Sequence, residues 1–524
     1  MPRTRRLLRE EITYSSAKGR EVNILLRLGY YDQQTRFFNQ LNENRDWIKS
    51  IVVHHLGLGV RSVDSCRVAE VEDWFHGSFN VCVPVTIEEE TRKRKKQQRS
   101  RHVLLRLPLP YRIGEAFRPG NGDEKVRCEA GTYAWLQENC PDVPIPHMYG
   151  FAMSTGETFT RLEHLPFISR CFQSIRRRLL SWLRFPVPSY YIRHQGGAHN
   201  AIGAGYLVIE YIDKTQGRML SSTWFEKNQH DVKLRTNFFR DLSRILLSMS
   251  RIPLPQIGSF IIDDDGFLHL ANRPLSVEIA ELENDEIPTH IPRDYTYSTT
   301  DSYIVDTLAF HDSRLQNQPN AVKSLGDTIS QMAALTAMRS TFPLFFQRDL
   351  RRGPFIFHFT DLHQSNILVD EDWHITCLID LEWACSHPIE MIAPPYWLSG
   401  KRMDEVDPDN YDEARKEFMN ILTAEEETQM QDIVVKDTMP QLSKVMNRSW
   451  NTGTFWYTLA LSSPPGLHNF FYDRIKPIFF KHSDDDFISI MLFYWAKDGP
   501  LLAYRKVSDK EKYDIHLQQE FEDP

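Results

Sequence analysis

One segment in the second half of the chain constrains the fold more than any other. Two short apolar runs, 367–369 and 375–379, flank a polar turn, and this pattern predicts a β-hairpin. Asn366 stands immediately before the first run, and Asp380 immediately follows the second. In an antiparallel pair these two positions lie side by side at the open end of the hairpin. Because Asp361 is in the loop that leads into the hairpin, we expect it near the same point.

These three side chains suit one kind of chemistry. Asn and Asp supply hard oxygen ligands, which suit Mg²⁺ better than a soft metal. Phosphoryl transfer from a nucleotide needs two such ligands for the metal and a further carboxylate to hold the attacking hydroxyl. The simpler alternative is a polar loop beside a hairpin, in which Asp and Asn satisfy turns. The matched spacing of all three groups favours the metal and phosphate interpretation.

A resemblance to the protein-kinase-like superfamily rests on the run Asp361-Leu362-His363-Gln364-Ser365-Asn366-Ile367-Leu368 and on Asp380. Among the branches, this run most resembles the aminoglycoside phosphotransferase family, particularly its large fungal expansion. The resemblance implies an α+β, bilobal protein-kinase-like fold with a small antiparallel β-sheet N-lobe and a larger, mainly helical C-lobe. It also implies ATP and Mg²⁺ as cofactors, Asp361 as the catalytic carboxylate, and Asn366 and Asp380 as metal ligands.

The resemblance predicts three parts of the chain. Residues 1–65 are expected to form an N-terminal helical extension, and residues 66–212 the kinase-like N-lobe, with an insertion around 160–203. Residues 213–524 are expected to form the helical C-lobe with the catalytic loop and the substrate-pocket helices. The length of 524 residues agrees with two or three domains, because it is too long for one core.

Composition and charge exclude several classes of protein. The chain is 41% hydrophobic and 25% charged, as in a folded globular protein, and its net charge of −8 disfavours a general nucleic-acid binder. Its seven cysteines include no Cys-x-x-Cys pair, so we expect reduced core residues rather than a zinc or redox motif. No apolar stretch approaches the ~20 residues that span a bilayer. The basic start also lacks the apolar segment of a signal peptide, so a cytoplasmic protein without a transmembrane segment is expected.

Residues 79–87 alternate with period two, which predicts a strand with one buried face. The preceding turn contains Gly77 and Ser78 and is a candidate phosphate-covering turn. Backbone N–H groups can approach a phosphate only where the side chains are small. With a single glycine, an ordinary hairpin turn is the alternative.

Arg106 lies inside the apolar run 103–107, where a charge is costly unless it is paired. Glu129 falls on the inward stripe of a predicted helix over 124–136 and offers a partner. By resemblance, Arg106 is the phosphate-contacting basic residue and Glu129 its helix partner. The alternative is that Arg106 extends to solvent from a strand edge.

The apolar run 206–212 predicts a buried strand. In the family such a strand becomes the hinge between the lobes, and its backbone hydrogen-bonds the adenine. By this resemblance, Glu210, Tyr211 and Ile212 occupy the adenine-contacting positions.

One departure from the family pattern bears on activity. The family usually has His two residues before the catalytic Asp, but this chain has Phe359 and Thr360 there, with His358 one residue too early. This departure motivates a rival interpretation, a catalytically impaired nucleotide-binding scaffold. A protein kinase is a further alternative, although the chain lacks an Ala-Pro-Glu element and has Asp380-Leu381-Glu382 in place of Asp-Phe-Gly.

Two basic segments lie outside these motifs. Residues 88–101 predict a solvated loop between two antiparallel strands, with a nuclear-localisation or anionic-surface patch as the alternative. Residues 167–185 predict a basic amphipathic helix, which we expect to pack on the surface; binding to a membrane or an anionic substrate is the alternative.

The motifs together predict an ATP-dependent phosphotransferase whose partner is a small-molecule acceptor hydroxyl, with Glu382 touching the acceptor or supporting the metal ligands.

Overall fold

The computed structural model describes residues 3–89, 99–194, 200–227, 231–432, 439–479 and 484–522. The basic run at 90–98 therefore lies outside the described residues, and the loop interpretation given for 88–101 is not tested there. The predicted bounds of the loop are wrong at both ends, because residues 88–89 and 99–101 belong to strands, which pair antiparallel as expected. None of the described helices combines the length and the apolarity needed to cross a membrane.

An N-terminal segment precedes the main sheet. It contains a two-stranded hairpin and four helices: β1 (Thr4–Arg6), β2 (Glu11–Thr13), α1 (Tyr14–Lys18), α2 (Ile24–Leu28), α3 (Tyr30–Glu43) and α4 (Arg45–His55). The apolar face of α4, which includes Ile48 and Val52, belongs to the same buried cluster as the inward face of the main sheet.

The main sheet is antiparallel and has eight strands among the described residues. They are β3 (Cys66–Val68), β4 (Phe75–His76), β5 (Asn80–Glu89), β6 (Arg99–Pro108), β7 (Met148–Ala152), β8 (Thr158–Arg161), β9 (Tyr191–His194) and β10 (Tyr206–Glu210). The order across the sheet is β3-β5-β6-β10-β7-β8-β9, with β4 beside β5. Val81, Val83, Val85 and Ile87 of β5 are buried on one face, as the alternating pattern predicts.

Two helices interrupt this sheet. The first, α5 (Asn121–Asn139), contains the helix predicted over 124–136 and packs its apolar residues into the core beneath the sheet. The second, α6 (Phe167–Trp182), has no buried residue, and its apolar stripe is exposed to solvent. The expectation that this stripe packs on the protein surface is therefore wrong for the described part of the chain.

The chain is mainly helical after β10. The helices are α7 (Ser221–Lys227), α8 (Val232–Ser250), α9 (Val277–Asn284), α10 (Thr300–Asn317), α11 (Leu325–Phe345), α12 (Pro408–Asp432), α13 (Leu442–Thr452), α14 (Thr454–Leu461), α15 (Leu467–Phe470), α16 (Lys476–Phe479), α17 (Asp484–Trp495) and α18 (Gly499–Glu522). Three small antiparallel sheets lie among them. They consist of β11 (Arg218–Met219), β15 (Ile367–Val369) and β16 (Ile375–Leu378); β12 (Ser259–Ile262) and β13 (Leu268–Asn272); and β14 (Phe355–Phe359) and β17 (Ala384–Pro388).

Two large clusters of buried hydrophobic residues form the core of this region. One joins α5 and α8 to strands β14, β15 and β16, and so lies directly beneath the predicted catalytic segment. The other is formed mainly by α11 and α14 and buries the aromatic residues Phe455, Trp456 and Tyr457. The predicted α+β architecture, an antiparallel sheet followed by a mainly helical part, is confirmed.

Candidate active site

The predicted hairpin is present and places two polar side chains together. Strands β15 and β16 pair antiparallel with Ile367 opposite Leu378. Beyond that pair, the backbone N–H of Ile379 donates to the carbonyl oxygen of Asn366 at 2.9 Å. Asn366 and Asp380 therefore stand at the open end of the hairpin, as its antiparallel register requires.

The backbone at Asp380 is unusual. Its φ of +57° lies in the left-handed region, which non-glycine residues enter rarely and Asp more readily than most. This conformation ends the extended run at the mouth of the hairpin. The carboxylate, still 39% exposed, lies 2.7 Å from Nη1 of Arg106.

Asp361 is held beside these residues by its backbone. The side-chain amide of Asn366 donates to the carbonyl oxygen of Asp361 at 3.0 Å, and the N–H of His363 donates to the same oxygen at 2.9 Å. Burial, reinforced by the negative charge of Glu382, raises the pKa of the Asp361 carboxyl to about 7. The carboxyl group thus changes its protonation state near neutral pH.

Of the residues that depart from the family pattern, Thr360 holds the loop in place. Thr360 donates two hydrogen bonds to the carbonyl oxygen of Trp383, from its N–H at 2.9 Å and from its hydroxyl at 2.8 Å. Phe359 is buried in the core below. His358 lies instead opposite Cys385 on β17, and burial lowers its pKa to about 4. The loop is therefore tied to the segment after Asp380 by a threonine.

Arg106 lies at the centre of a buried ion-pair network. Its Nε is 3.0 Å from Oε1 of Glu129, and its Nη2 is 2.5 Å from Oε2 of Glu382. Together with the contact to Asp380, the guanidinium thus meets three carboxylates from a helix and from the segment after the hairpin. The pairing with Glu129 is as predicted, and the alternative in which Arg106 reaches solvent from a strand edge is wrong.

Sequence reasoning missed two members of this network. Lys125 on α5 is almost completely buried, and its Nζ lies 2.5 Å from Oε2 of Glu382 and 2.5 Å from Oδ1 of Asn80. The amide of Asn80 also donates to Glu382 at 2.5 Å. Burial raises the pKa of Glu382, but the charges of Lys125 and Arg106 outweigh it, and the net pKa is lowered. The four-residue spacing of Lys125 and Glu129 on one helix face was the signal available in the sequence.

At two of the three predicted hinge positions, the backbone N–H already has a carbonyl acceptor within the protein. The N–H of Glu210 donates to the carbonyl oxygen of His147 at 2.8 Å, so this N–H is not free to contact an adenine. The N–H of Tyr211 points to the carbonyl oxygen of His102 at 3.4 Å. Among the described residues no hydrogen bond is recorded for the N–H of Ile212, which leaves that group for a ligand.

The turn at Gly77 is open. The N–H of Gly77 donates to the carbonyl oxygen of Asn80 at 3.0 Å, and Nε of Arg112 donates to the carbonyl oxygen of Ser78 at 2.8 Å. A Cβ atom at Gly77 would meet no atom within 4 Å. The space beside the glycine is thus accessible to a ligand.

All nine predicted site residues line one cavity of about 1080 Å³ between the main sheet and the hairpin. They are Gly77, Ser78, Arg106, Glu129, Glu210, Ile212, Asp361, Asn366 and Asp380. A cavity of this size suits a nucleotide together with part of a second small molecule. The oxygen donors of Asn366 and Asp380 at its floor fit the ligand preference of Mg²⁺.

A second cluster of metal-ligand type lies away from this cavity. It consists of His147, Glu163 and His164. The Arg161 guanidinium lies 3.1 Å from both Oε1 of Glu163 and Nδ1 of His147. A cation bound there would meet this fixed positive charge, so we assign the cluster no metal.

Comparison with known proteins supports the prediction that the chain is a phosphotransferase. The model of the phosphotransferase enzyme family (APH) matches residues 160–391, which confirms the predicted resemblance to the aminoglycoside phosphotransferase family. No curated protein matches the chain.

Solved structures show weak similarity. The structure of a Plasmodium vivax ethanolamine kinase is 13% identical, covers 84% of this chain and 84% of its own, and has a TM-score of 0.36. That of a macrolide 2'-phosphotransferase type I is 11% identical, covers 82% of this chain and 90% of its own, and has a TM-score of 0.33.

Proposed function

We propose that this chain, whose residues 160–391 match the phosphotransferase family, transfers the γ-phosphoryl group of ATP to a hydroxyl of a small molecule. The observation that carries the proposal is the convergence of Asp361, Asn366 and Asp380 on the floor of one cavity, next to Arg106. This arrangement supplies a carboxylate for the acceptor, two oxygen ligands for a metal, and a cation for the phosphates.

Asp361 is the proposed acceptor of the hydroxyl proton. Because its pKa is about 7, a large fraction of the carboxyl groups is ionised at neutral pH and able to take a proton. Its backbone oxygen is fixed by Asn366, which limits the positions that the carboxylate can adopt. The acceptor hydroxyl would approach from the cavity that Asp361 lines.

Asn366 and Asp380 are the proposed ligands of Mg²⁺. When bound, the metal would neutralise charge on the phosphate oxygens. In its ion pair with Arg106, Asp380 is the more exposed partner. Its carboxylate can therefore turn from the guanidinium toward a metal without leaving a buried site. Asn366 is already fixed by its bond to Asp361.

Arg106 is the proposed phosphate-binding cation. Glu129 and Glu382 hold the guanidinium from two sides, so it stays in place when Asp380 turns away. The freed Nη1 can then donate to a phosphate oxygen, for which a guanidinium is well suited. Gly77 and Ser78 would cover the phosphates, and the N–H of Ile212 would donate to the adenine.

Four further assignments belong to the proposal. The division at 65 and 212 into an N-terminal extension, an N-lobe and a C-lobe is retained. The acceptor pocket is assigned to the C-terminal helices, and Glu382 is assigned to supporting Arg106 rather than to the acceptor, since Lys125 and Asn80 also occupy it. A cytoplasmic location is proposed as well.

The decisive experiment uses labelled Mg-ATP and a cell extract, after which labelled metabolites are separated from labelled proteins. Label in a small molecule with the wild type, but not with Asp361→Asn, is the expected result and would give the substrate class. Label in proteins would favour a protein kinase. ATP binding without any transfer would favour the nucleotide-binding scaffold suggested by Phe359 and Thr360.

A further inference from the structure

Helix α6 presents its apolar side to solvent. The exposed apolar residues recur at spacings of three and four residues, so they form one stripe along the helix. Ile168 is 82% exposed and Trp182 is 79% exposed, which is unusual for side chains of this size. The stripe consists of Ile168, Phe172, Ile175, Leu179, Trp182 and Leu183.

The polar side of the helix is the side that contacts the protein. The Arg177 guanidinium stacks over the ring of Tyr190 at 3.9 Å and donates to the carbonyl oxygen of Pro188. That of Arg176 lies 6.0 Å from the ring of Phe267. A surface helix normally buries its apolar face against its own protein. Here the contacts of Arg177 hold the face opposite the stripe and the contact of Arg176 lies at one edge of it, so the stripe itself faces away from the chain.

The charge around the stripe is of one sign. Residues 167–185 contain five arginines and no acidic residue, although the whole chain has a net charge of −8. Arg176 and Arg178 follow Ile175 by one and three positions, so at 3.6 residues per turn they lie on opposite sides of the stripe. Arg178 is exposed, as is Arg184 just beyond the helix.

We propose that α6 docks on the surface of a lipid bilayer that contains anionic headgroups. The stripe would enter the boundary between headgroups and acyl chains, and the flanking arginines would contact the lipid phosphates. An exposed apolar stripe alone could bind many kinds of partner. Because the arginines beside it are not interrupted by acidic residues, the helix complements an extended negatively charged surface. The proposal is independent of the phosphotransferase reaction, because α6 does not line the catalytic cavity.

Vesicle flotation with the full chain tests this inference. We expect the protein to float with phosphatidylcholine vesicles that contain phosphatidylserine and not with phosphatidylcholine alone, and added salt should weaken the binding. The double substitution Phe172→Gln/Leu179→Gln should abolish binding. Because both side chains are exposed, the fold should be retained, which circular dichroism can check. The matched control is Phe493→Gln/Tyr504→Gln, two exposed aromatic residues on α17 and α18 that should not matter.

A second pair of variants tests the charge. Arg178→Gln/Arg184→Asn should weaken binding about 25- to 30-fold, since each basic residue near an anionic surface contributes roughly a factor of five. The matched control is Arg61→Gln/Arg67→Gln, which changes two exposed arginines elsewhere. Failure to float with anionic vesicles would overturn the proposal. So would equal binding to neutral vesicles, or dimerisation through the stripe in place of vesicle binding.

Discussion

At the scale of single residues, the candidate site depends on how the loop with Thr360 and Asp361 is held. Asp361 is positioned through its backbone oxygen, and its carboxyl group is left to titrate near neutral pH. Thr360 fixes the same loop to Trp383 with two hydrogen bonds. The loop that carries Asp361 is thus held at Thr360, where this chain departs from the family pattern.

Replacing Asp361 with Asn should reduce turnover by about 10²–10⁴-fold, because the proton acceptor is lost while the size of the side chain is kept. In the wild type, turnover should fall as the pH decreases through about 7, where the carboxylate becomes protonated. A pH profile of kcat for both proteins checks this. An unchanged kcat in the variant would contradict the role of Asp361.

The same substitution should affect stability in a pH-dependent way. The folded pKa of Asp361 is raised, so its contribution to stability is present below its unfolded pKa of about 4 and is lost as the pH rises through about 7. Because Asn is neutral at every pH, the variant should gain stability relative to the wild type, and more at about pH 8 than at about pH 5. Thermal unfolding at the two pH values measures the difference. A gain that is equal at both would argue against the raised pKa.

Replacing Thr360 with Val should lower the free energy of unfolding by about 1 kcal/mol and reduce kcat. The substitution removes the hydroxyl that donates to Trp383 but keeps the shape of the side chain. Thr360→Ser keeps the hydroxyl and is the matched control, for which a near wild-type kcat is expected. Chemical denaturation and steady-state kinetics provide the two measurements. If Val and Ser behaved alike, the hydroxyl anchor would have no role.

At the scale of secondary-structure elements, buried charges connect α5 to the hairpin. The helix supplies Lys125 and Glu129, strand β6 supplies Arg106, and the segment after β16 supplies Asp380 and Glu382. Apart from Asp380, which is partly exposed, these charges are buried, and each would be costly to bury without the others. The network therefore fixes the position of the helix relative to the segment that carries Asp380 and Glu382.

Replacing Lys125 with Met should destabilise the fold by about 3–5 kcal/mol, because Glu382 loses a buried partner. Adding Glu382→Gln should recover part of this loss, since it removes one of the carboxylates that are left in excess over Arg106. Urea denaturation of the single and double variants measures both effects. The control is Lys233→Met, whose ion pair with Asp372 is exposed and should contribute less than about 1 kcal/mol.

At the scale of the whole molecule, the two ends of the chain meet. Residues of α18, including Tyr513 and Leu517, form a buried cluster with the N-terminal hairpin and helices, and the hydroxyl of Tyr513 accepts from the N–H of Ile24 at 2.9 Å. The N-terminal segment also packs on the main sheet through α4. It thereby links the sheet on one side of the cavity to the helical part on the other.

Ligand binding should therefore stabilise the molecule as a unit. With Mg-ATP at a concentration of about 100 times its Kd, the free energy of unfolding should increase by about 2.7 kcal/mol. Thermal unfolding with Mg-ATP, and with ATP and a chelator, separates the metal-dependent part. Asp380→Asn should lose only that part, because Asn tolerates the left-handed backbone but removes the metal-binding carboxylate. An equal shift with and without metal would contradict the assignment of Asp380.

The sequence by itself determined the local features of this protein. The alternation in β5, the hairpin with Asn366 and Asp380 at its open end, and the pairing of Arg106 with Glu129 could all be predicted. The first two depend on the periodicity of an element or on a short motif whose geometry follows from a few neighbouring residues. The pairing of Arg106 with Glu129 also needed the resemblance to a family, because the two residues are on different elements.

Only the tertiary structure decided which distant residues meet. Lys125 contacts Asn80 and Glu382 across separations of 45 and 257 residues, and no periodicity reports such contacts. The same holds for Thr360 as the anchor of the loop, and for the contact between the chain ends. The sequence also showed that α6 is amphipathic, but not which side would face the protein. That side was set by contacts of Arg177 with residues brought near it by folding, which left the apolar stripe exposed.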